Sequence, residues 1–194
     1  MYFYIFFVVY LANNFSNGLL FRTNPLNEEK ELIDLASTTL ENFFNNNKQD
    51  KNGMTFEEFN HILKQYNWII EQPELFIRIL FREEVGNMDG IMNFKQFKNQ
   101  ATYCINRYEN SIEKHFKKYS KGRDNMTLNE LPEALKQFNF VYSEEILIIL
   151  INHFEGEGAQ FISMKAFRNI FGFLFINRLA IIKLKNNNDI YLLF

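Results

Sequence analysis

The stretch DKNGMTFEEF, residues 50–59, decides how this chain is read. A polar turn passes through Gly53 to Met54, then Thr55, then a mixture of apolar and acidic residues suited to the start of an amphipathic helix. Three weaker echoes follow: NMDGIMNFKQF (87–97), GRDNMTLNELPEAL (122–135) and GEGAQFISMKAF (156–167). Each has a small or polar turn, then Met or Ile, then Asn, Thr or Ser, then an apolar residue and a helical pattern. The hydrophobic positions after the turns, Met54, Met92, Met126 and Ile162, are 38, 34 and 36 residues apart. A near-fixed period of this size marks one structural unit used repeatedly.

Helical periodicity surrounds every turn. Asn27 is expected to cap the first helix, with Glu28 and Glu29 in its first turn. Leu32, Leu35, Ala36, Leu40, Phe43 and Phe44 form its apolar stripe, and Phe56, Phe59, Ile62, Leu63 and Tyr66 leave the first loop. Pro73 opens the next helix, with Phe76, Ile77, Leu80 and Phe81 inward. Phe94, Phe97, Ala101 and Cys104 follow the second loop. Ile112, Phe116 and Tyr119 enter the third, and Leu128, Leu131, Leu135 and Phe138 leave it. Ser143 caps a helix with Ile146, Leu147, Leu150, Ile151 and Phe154 inward, and Ser163 caps a long apolar last helix. The expected division is an apolar segment at residues 1–26, a first pair of units at 27–105, a linker at 106–110, a second pair at 111–185 and a tail at 186–194.

On these loops and this repeat the chain resembles the EF-hand superfamily, in the four-hand form of calmodulin, troponin C and myosin light chains, over residues 27–182. The resemblance implies an all-α fold of four EF-hand helix–loop–helix units in two pairs. Each pair would be joined by a short loop–loop β-bridge, Met54 with Met92 and Met126 with Ile162. It also implies calcium as the candidate cofactor and an amphipathic helix of a larger protein as the candidate partner.

A calcium loop of this kind takes oxygen ligands at positions 1, 3, 5, 7 and 12, with glycine at 6 and a bidentate glutamate at 12. The loops can be graded on that demand. Loop 1 has two registers. One puts Glu58 at position 12 and Asn47 at 1. The preferred one starts at Lys48, sets Asp50, Asn52 and Gly53 at 3, 5 and 6, and lacks one residue before Met54. In both a lysine occupies a ligand position, where its ammonium offers no lone pair. Loop 2 has Asn87, Asp89 and Gly90 at 3, 5 and 6, but Val85 and Gln96 at the ends. Loop 3, starting at Ser120, keeps Glu130 at its end, with only Gly122 and Asp124 at 3 and 5. Loop 4 starts with Glu155 and Glu157 and then has Ala159, Gln160 and Ala166 at 5, 6 and 12. Asp50, Asn52 and Glu58, with Asn87 and Asp89, are therefore the candidate metal residues, and calcium binding is expected to be weak or absent.

Composition agrees. Hydrophobic residues make up 47% of the chain, aromatics 17%, and the net charge is −2. Four working calcium loops would make the chain strongly acidic, and nucleic-acid binding would need a basic surface. A single cysteine, Cys104, excludes an internal disulfide and is expected as a small buried hydrophobe. His61, His115 and His153 are expected at surface or core-edge helix positions. No phosphate-loop, serine-hydrolase or zinc-protease motif occurs, so no enzyme is expected. The run KHFKKYSKGR (114–123) reads as a solvated basic face.

Residues 1–12, MYFYIFFVVYLA, fall short of the roughly 20 apolar residues that span a bilayer. A signal peptide, a segment packed onto the folded body and an intracellular anchor for a partner all fit them, membrane contact through residues 1–12 is a further expectation, and no Lys or Arg precedes the run. The preferred expectation is a cytoplasmic adaptor that holds a helical segment of a cytoskeletal, motor or signalling protein with little dependence on calcium. The alternatives are a calcium sensor or buffer using loop 1, and a secretory-pathway EF-hand protein if residues 1–18 are removed.

Overall fold

Helices form where apolar residues recur at three and four positions, and they stop at the glycines and polar turns between. A computed structural model describes residues 18–186, with side chains described through residue 176. The apolar run at 1–12 and the tail beyond Asn186 lie outside the described residues. Among the described residues the chain is mostly helical. In order come α1 (Asp34–Asn47), α2 (Phe56–Lys64), α3 (Glu74–Val85), α4 (Phe94–Tyr119), β1 (Asn125–Thr127), α5 (Glu130–Lys136), α6 (Glu144–Glu155), β2 (Phe161–Ser163) and α7 (Met164–Asn186).

Two compact units share the chain. The first contains Gly18–Leu20 and Pro25–Lys114, the second Phe21–Asn24 and the chain from His115 onward. In the first, Leu40 and Phe44 of α1, Phe59 of α2, Phe81 of α3 and Phe97 of α4 are all buried. Their rings meet edge to face or tilted, with Phe44–Phe97 centroids 5.3 Å apart, Phe59–Phe81 6.0 Å and Phe59–Phe97 6.4 Å. In the second, Phe116 packs on Phe167 at 5.5 Å, and Phe138 and Phe140 pack on Phe171 at 4.7 and 5.8 Å. No described helix is long and apolar enough to cross a membrane.

Three expectations change. Asn27 does not cap a helix. Residues 25–33 instead form a small hairpin in which Leu26 bridges Leu32, Lys30 adopts φ 63°, and the Asn27 side-chain oxygen accepts the Glu31 N–H at 2.8 Å. Asn competes for backbone in turns as readily as at caps, so α1 begins at Asp34 and Leu35 is left 75% exposed. Phe76 is half-exposed rather than inward, under the Arg107 guanidinium at 4.5 Å. Residues 106–110, expected as a linker, are helical and interior to α4. Ile105, Tyr108 and Ile112 are all buried there, so the apolar spacing never breaks.

Candidate functional site

The four helix-to-helix loops carry every residue with candidate metal chemistry. Within the first unit Met54 and Met92 form an antiparallel bridge, with N–H···O distances of 2.9 and 2.8 Å in the two directions. Gly53 permits it, since a Cβ there would lie 2.2 Å from the Met92 carbonyl oxygen. Within the second unit Met126 faces Ile162 at the centre of the β1–β2 pair. All four side chains are fully buried.

In loop 1 Glu58 ties the ends together. Its Oε1 accepts the Gln49 N–H and its Oε2 the Thr55 N–H, both at 2.8 Å, while the Glu58 N–H donates to Thr55 Oγ1. Asp50 Oδ1 accepts the Asn52 N–H at 2.6 Å, which folds the turn on itself. Lys48 donates its ammonium to the Lys51 carbonyl at 3.1 Å and lies 5.4 Å from the Phe44 ring centre. A tethered cation thus serves a loop oxygen. Asp50 and Asn52 are exposed and Glu58 half-buried.

Loop 2 does the same with amides. Gln96 Oε1 accepts the Asn93 N–H at 2.9 Å, Asn93 Oδ1 accepts the Gln96 N–H at 3.0 Å, and Gln96 Nε2 donates to the Glu84 carbonyl at 2.5 Å. Gln96 therefore meets the loop with both an acceptor and a donor. Asn87 Oδ1 accepts the Asp89 N–H at 3.0 Å, and both residues are exposed.

Loop 3 holds the sharpest geometry. Arg123 Nη2 lies 2.6 Å from each oxygen of Glu130, and Glu130 Oε2 also accepts the Thr127 N–H at 2.9 Å. Arg123 Nε donates to the Ser120 carbonyl at 2.7 Å, and Ser120 Oγ donates to the Arg123 carbonyl at 2.8 Å. The Thr127 N–H, with the Arg123 guanidinium adding, holds the Glu130 carboxyl below its ordinary value. In loop 4 Glu155 accepts the Ser163 N–H, and Ser163 Oγ accepts the Ala166 N–H at 3.1 Å. Each loop is thus closed by its own side chain: Glu58, Gln96, the Arg123–Glu130 pair and Glu155.

Among the described residues no three His, Cys, Asp or Glu side chains converge as a metal set. Asp50 and Glu58 lie in one loop and Asn87 and Asp89 in the next, each engaged with its own loop's backbone. Arg123 was not singled out from sequence as the partner of Glu130. The signal available was a basic residue in a ligand-bearing loop, seven positions ahead of the glutamate.

No protein-family model matches the chain, and no curated protein matches it.

Proposed function

We propose that this chain is a non-enzymatic binding module of four EF-hand-like helix–loop–helix units, and that it holds an amphipathic helix of a larger protein without needing calcium. The Arg123–Glu130 contact is the observation that carries the reading. A guanidinium at 2.6 Å supplies to the terminal glutamate the positive charge that a calcium ion would bring to such a loop. The Lys48 ammonium on the Lys51 carbonyl in loop 1 and the Gln96 amide on the Glu84 carbonyl in loop 2 support it by placing protein donors on backbone oxygens at the loops. The pairing of Met54 with Met92 and of Met126 with Ile162 supports the two-pair arrangement. These methionines are buried, so they do not supply the adaptable Met-rich surface of a promiscuous sensor. That favours one constant partner. Exposed apolar side chains suited to a helix are Leu75 and Ile79, four apart on α3 of the first unit.

One observation weighs against the secretory alternative. The Leu19 N–H donates to the Tyr66 hydroxyl at 3.0 Å, and Leu19 and Leu20 are each 1% exposed. Cleavage after Gly18 would bury a charged ammonium there, a costly exchange.

Calorimetric titration of the full chain with calcium, after dialysis against chelator, tests the reading. A flat trace through the micromolar range is expected. Saturating micromolar heat that Glu58→Gln abolishes would replace the adaptor with a sensor using loop 1.

A further inference from the structure

Helix α3 carries two apolar stripes, and the first unit buries one of them. Ile77, Leu80 and Phe81 are its buried residues. Leu75 and Ile79, one turn apart, face away from that core and are 71% and 38% exposed. Phe76 lies beside them at the seam with α4, its ring 6.4 Å from that of Tyr103, which is 47% exposed. The Arg107 guanidinium lies 4.5 Å from the Phe76 ring centre and 5.8 Å from that of Tyr103. Apolar residues exposed singly are ordinary. Four in one patch, with an arginine held flat on it, have the composition of an interface.

The two ends of this patch differ in sign, and both lie within the first unit. Helices α3 and α4 run antiparallel along the seam. The Glu84 carboxylate meets the Asn99 and Gln100 side chains at 3.2 and 3.4 Å, whereas Phe76, two turns earlier, meets Tyr103 and Arg107. Arg107 therefore marks the end near the start of α3, and the exposed Glu83 marks the other. Among the described residues no acid pairs with Arg107 and no base with Glu83. Arg82 lies about 100° round the helix from Glu83, on the far edge of the stripe. Leu75 and Glu83 stand four residues either side of Ile79. Turned about a twofold axis beside Ile79, α3 lies antiparallel on its own copy. Glu83 of each copy then comes level with Leu75 and Phe76 of the other, where Arg107 stands.

We propose that this face is a homodimer interface, α3 against α3 of a second copy, with two symmetric Arg107–Glu83 contacts across the axis. The patch is complementary to itself, apolar at its centre, positive at one end and negative at the other. It is small, so the dimer is weak and forms at about 10–100 μM chain. The inference goes beyond the adaptor reading: in the free protein, the helix that Leu75 and Ile79 meet belongs to another copy. A dimer that takes no target would keep the inference without the adaptor, and a target-binding chain that stays monomeric would do the reverse.

Sedimentation velocity of the full chain over that concentration range, at low salt, should show a monomer–dimer equilibrium. Leu75→Glu, at a position too exposed to disturb the fold, should abolish it. Arg107→Glu sets carboxylate against carboxylate across the axis, and Glu83→Arg sets guanidinium against guanidinium. Each should weaken the dimer about tenfold or more. In an equimolar mixture of those two variants, both contacts of the heterodimer join opposite charges, and association should return to near the wild-type constant. A wild type that stays monomeric, a dimer that Leu75→Glu leaves unchanged, or a mixture that associates no better than either variant alone overturns the proposal. Should Arg107→Glu fail to fold for want of its stack on Phe76, Glu83→Arg and Leu75→Glu decide, and a dimer that either leaves unchanged overturns it.

Discussion

Replacing Glu58 with glutamine tests whether loop 1 is closed by protein groups or by a metal. Each Glu58 oxygen accepts one backbone N–H, from Gln49 and from Thr55, both at 2.8 Å. Glutamine keeps one acceptor and turns an NH₂ group toward the other N–H. A hydrogen bond to a charged acceptor contributes about 1.5–3 kcal/mol, and the bond at Gln49 is exposed, which places it at the low end. Loss of the negative charge in the first turn of α2 adds about 0.3–1 kcal/mol. The expected cost is therefore about 2 kcal/mol, or about 4–8 °C in a chain of this size. Trp68 is the single tryptophan and lies in the first unit, so urea denaturation followed by its fluorescence reads the right unit. The loss should be the same in chelator and in millimolar calcium. A loss below about 0.5 kcal/mol in chelator, or one seen only with calcium, would refute the reasoning, because the glutamate would then be serving an ion.

Three other outcomes follow from the two cores. Burial is the main cause holding the His115 imidazole below its ordinary value, against the Ala134 carbonyl that accepts from its Nε2–H at 2.8 Å, and Lys118 lowers it further. A base with a lowered folded pKa stabilises the fold fully above its unfolded value of about 6.5 and loses that contribution as pH falls below it. Wild-type stability should therefore drop between about pH 7 and pH 5 more steeply than that of His115→Gln, with the His115 proton resonances titrating below the ordinary midpoint. The Cys104 thiol, buried with its pKa pushed up to about 12, should react with Ellman's reagent only as fast as the protein opens. Phe97→Ala removes a fully buried ring that faces Phe44 and Phe59, and should cost about 3–5 kcal/mol in the Trp68-monitored transition.

Legibility followed the range of the physics. Phe59, Ile62 and Leu63, or Ile77, Leu80 and Phe81, recur at helical spacing, and each of these is buried as that spacing demands. The spacing marked Met54, Met92, Met126 and Ile162 as equivalent positions, while their pairing was implied by the resemblance and not by the spacing. The misplacements came where local chemistry serves two ends. Asn27 has the same side chain for a hairpin turn as for a helix cap, and only the Leu26–Leu32 bridge decides between them. Phe76 sits on the same helical stripe as its neighbours, yet its exposure depends on the neighbours that α3 meets. At 106–110 polar residues suggested a break, whereas Ile105, Tyr108 and Ile112 carry one buried stripe through it.

The sequence by itself determined the repeat, the helical periodicity and the poverty of carboxylates in the loops, because the last two depend on residues close along the chain and the first on comparing such local patterns with one another. Tertiary structure alone decided the rest. Whether Glu130 faces an ion or a guanidinium depends on how Ser120, Arg123 and Thr127 fold around it, and Arg123 was one of several basic residues in that run. The meeting of Arg168 and Gly172 with Phe21, Arg22 and Thr23 joins residues nearly 150 positions apart. No periodicity carries that far, because such a contact is set by where the core leaves room for a bent segment from a distant part of the chain.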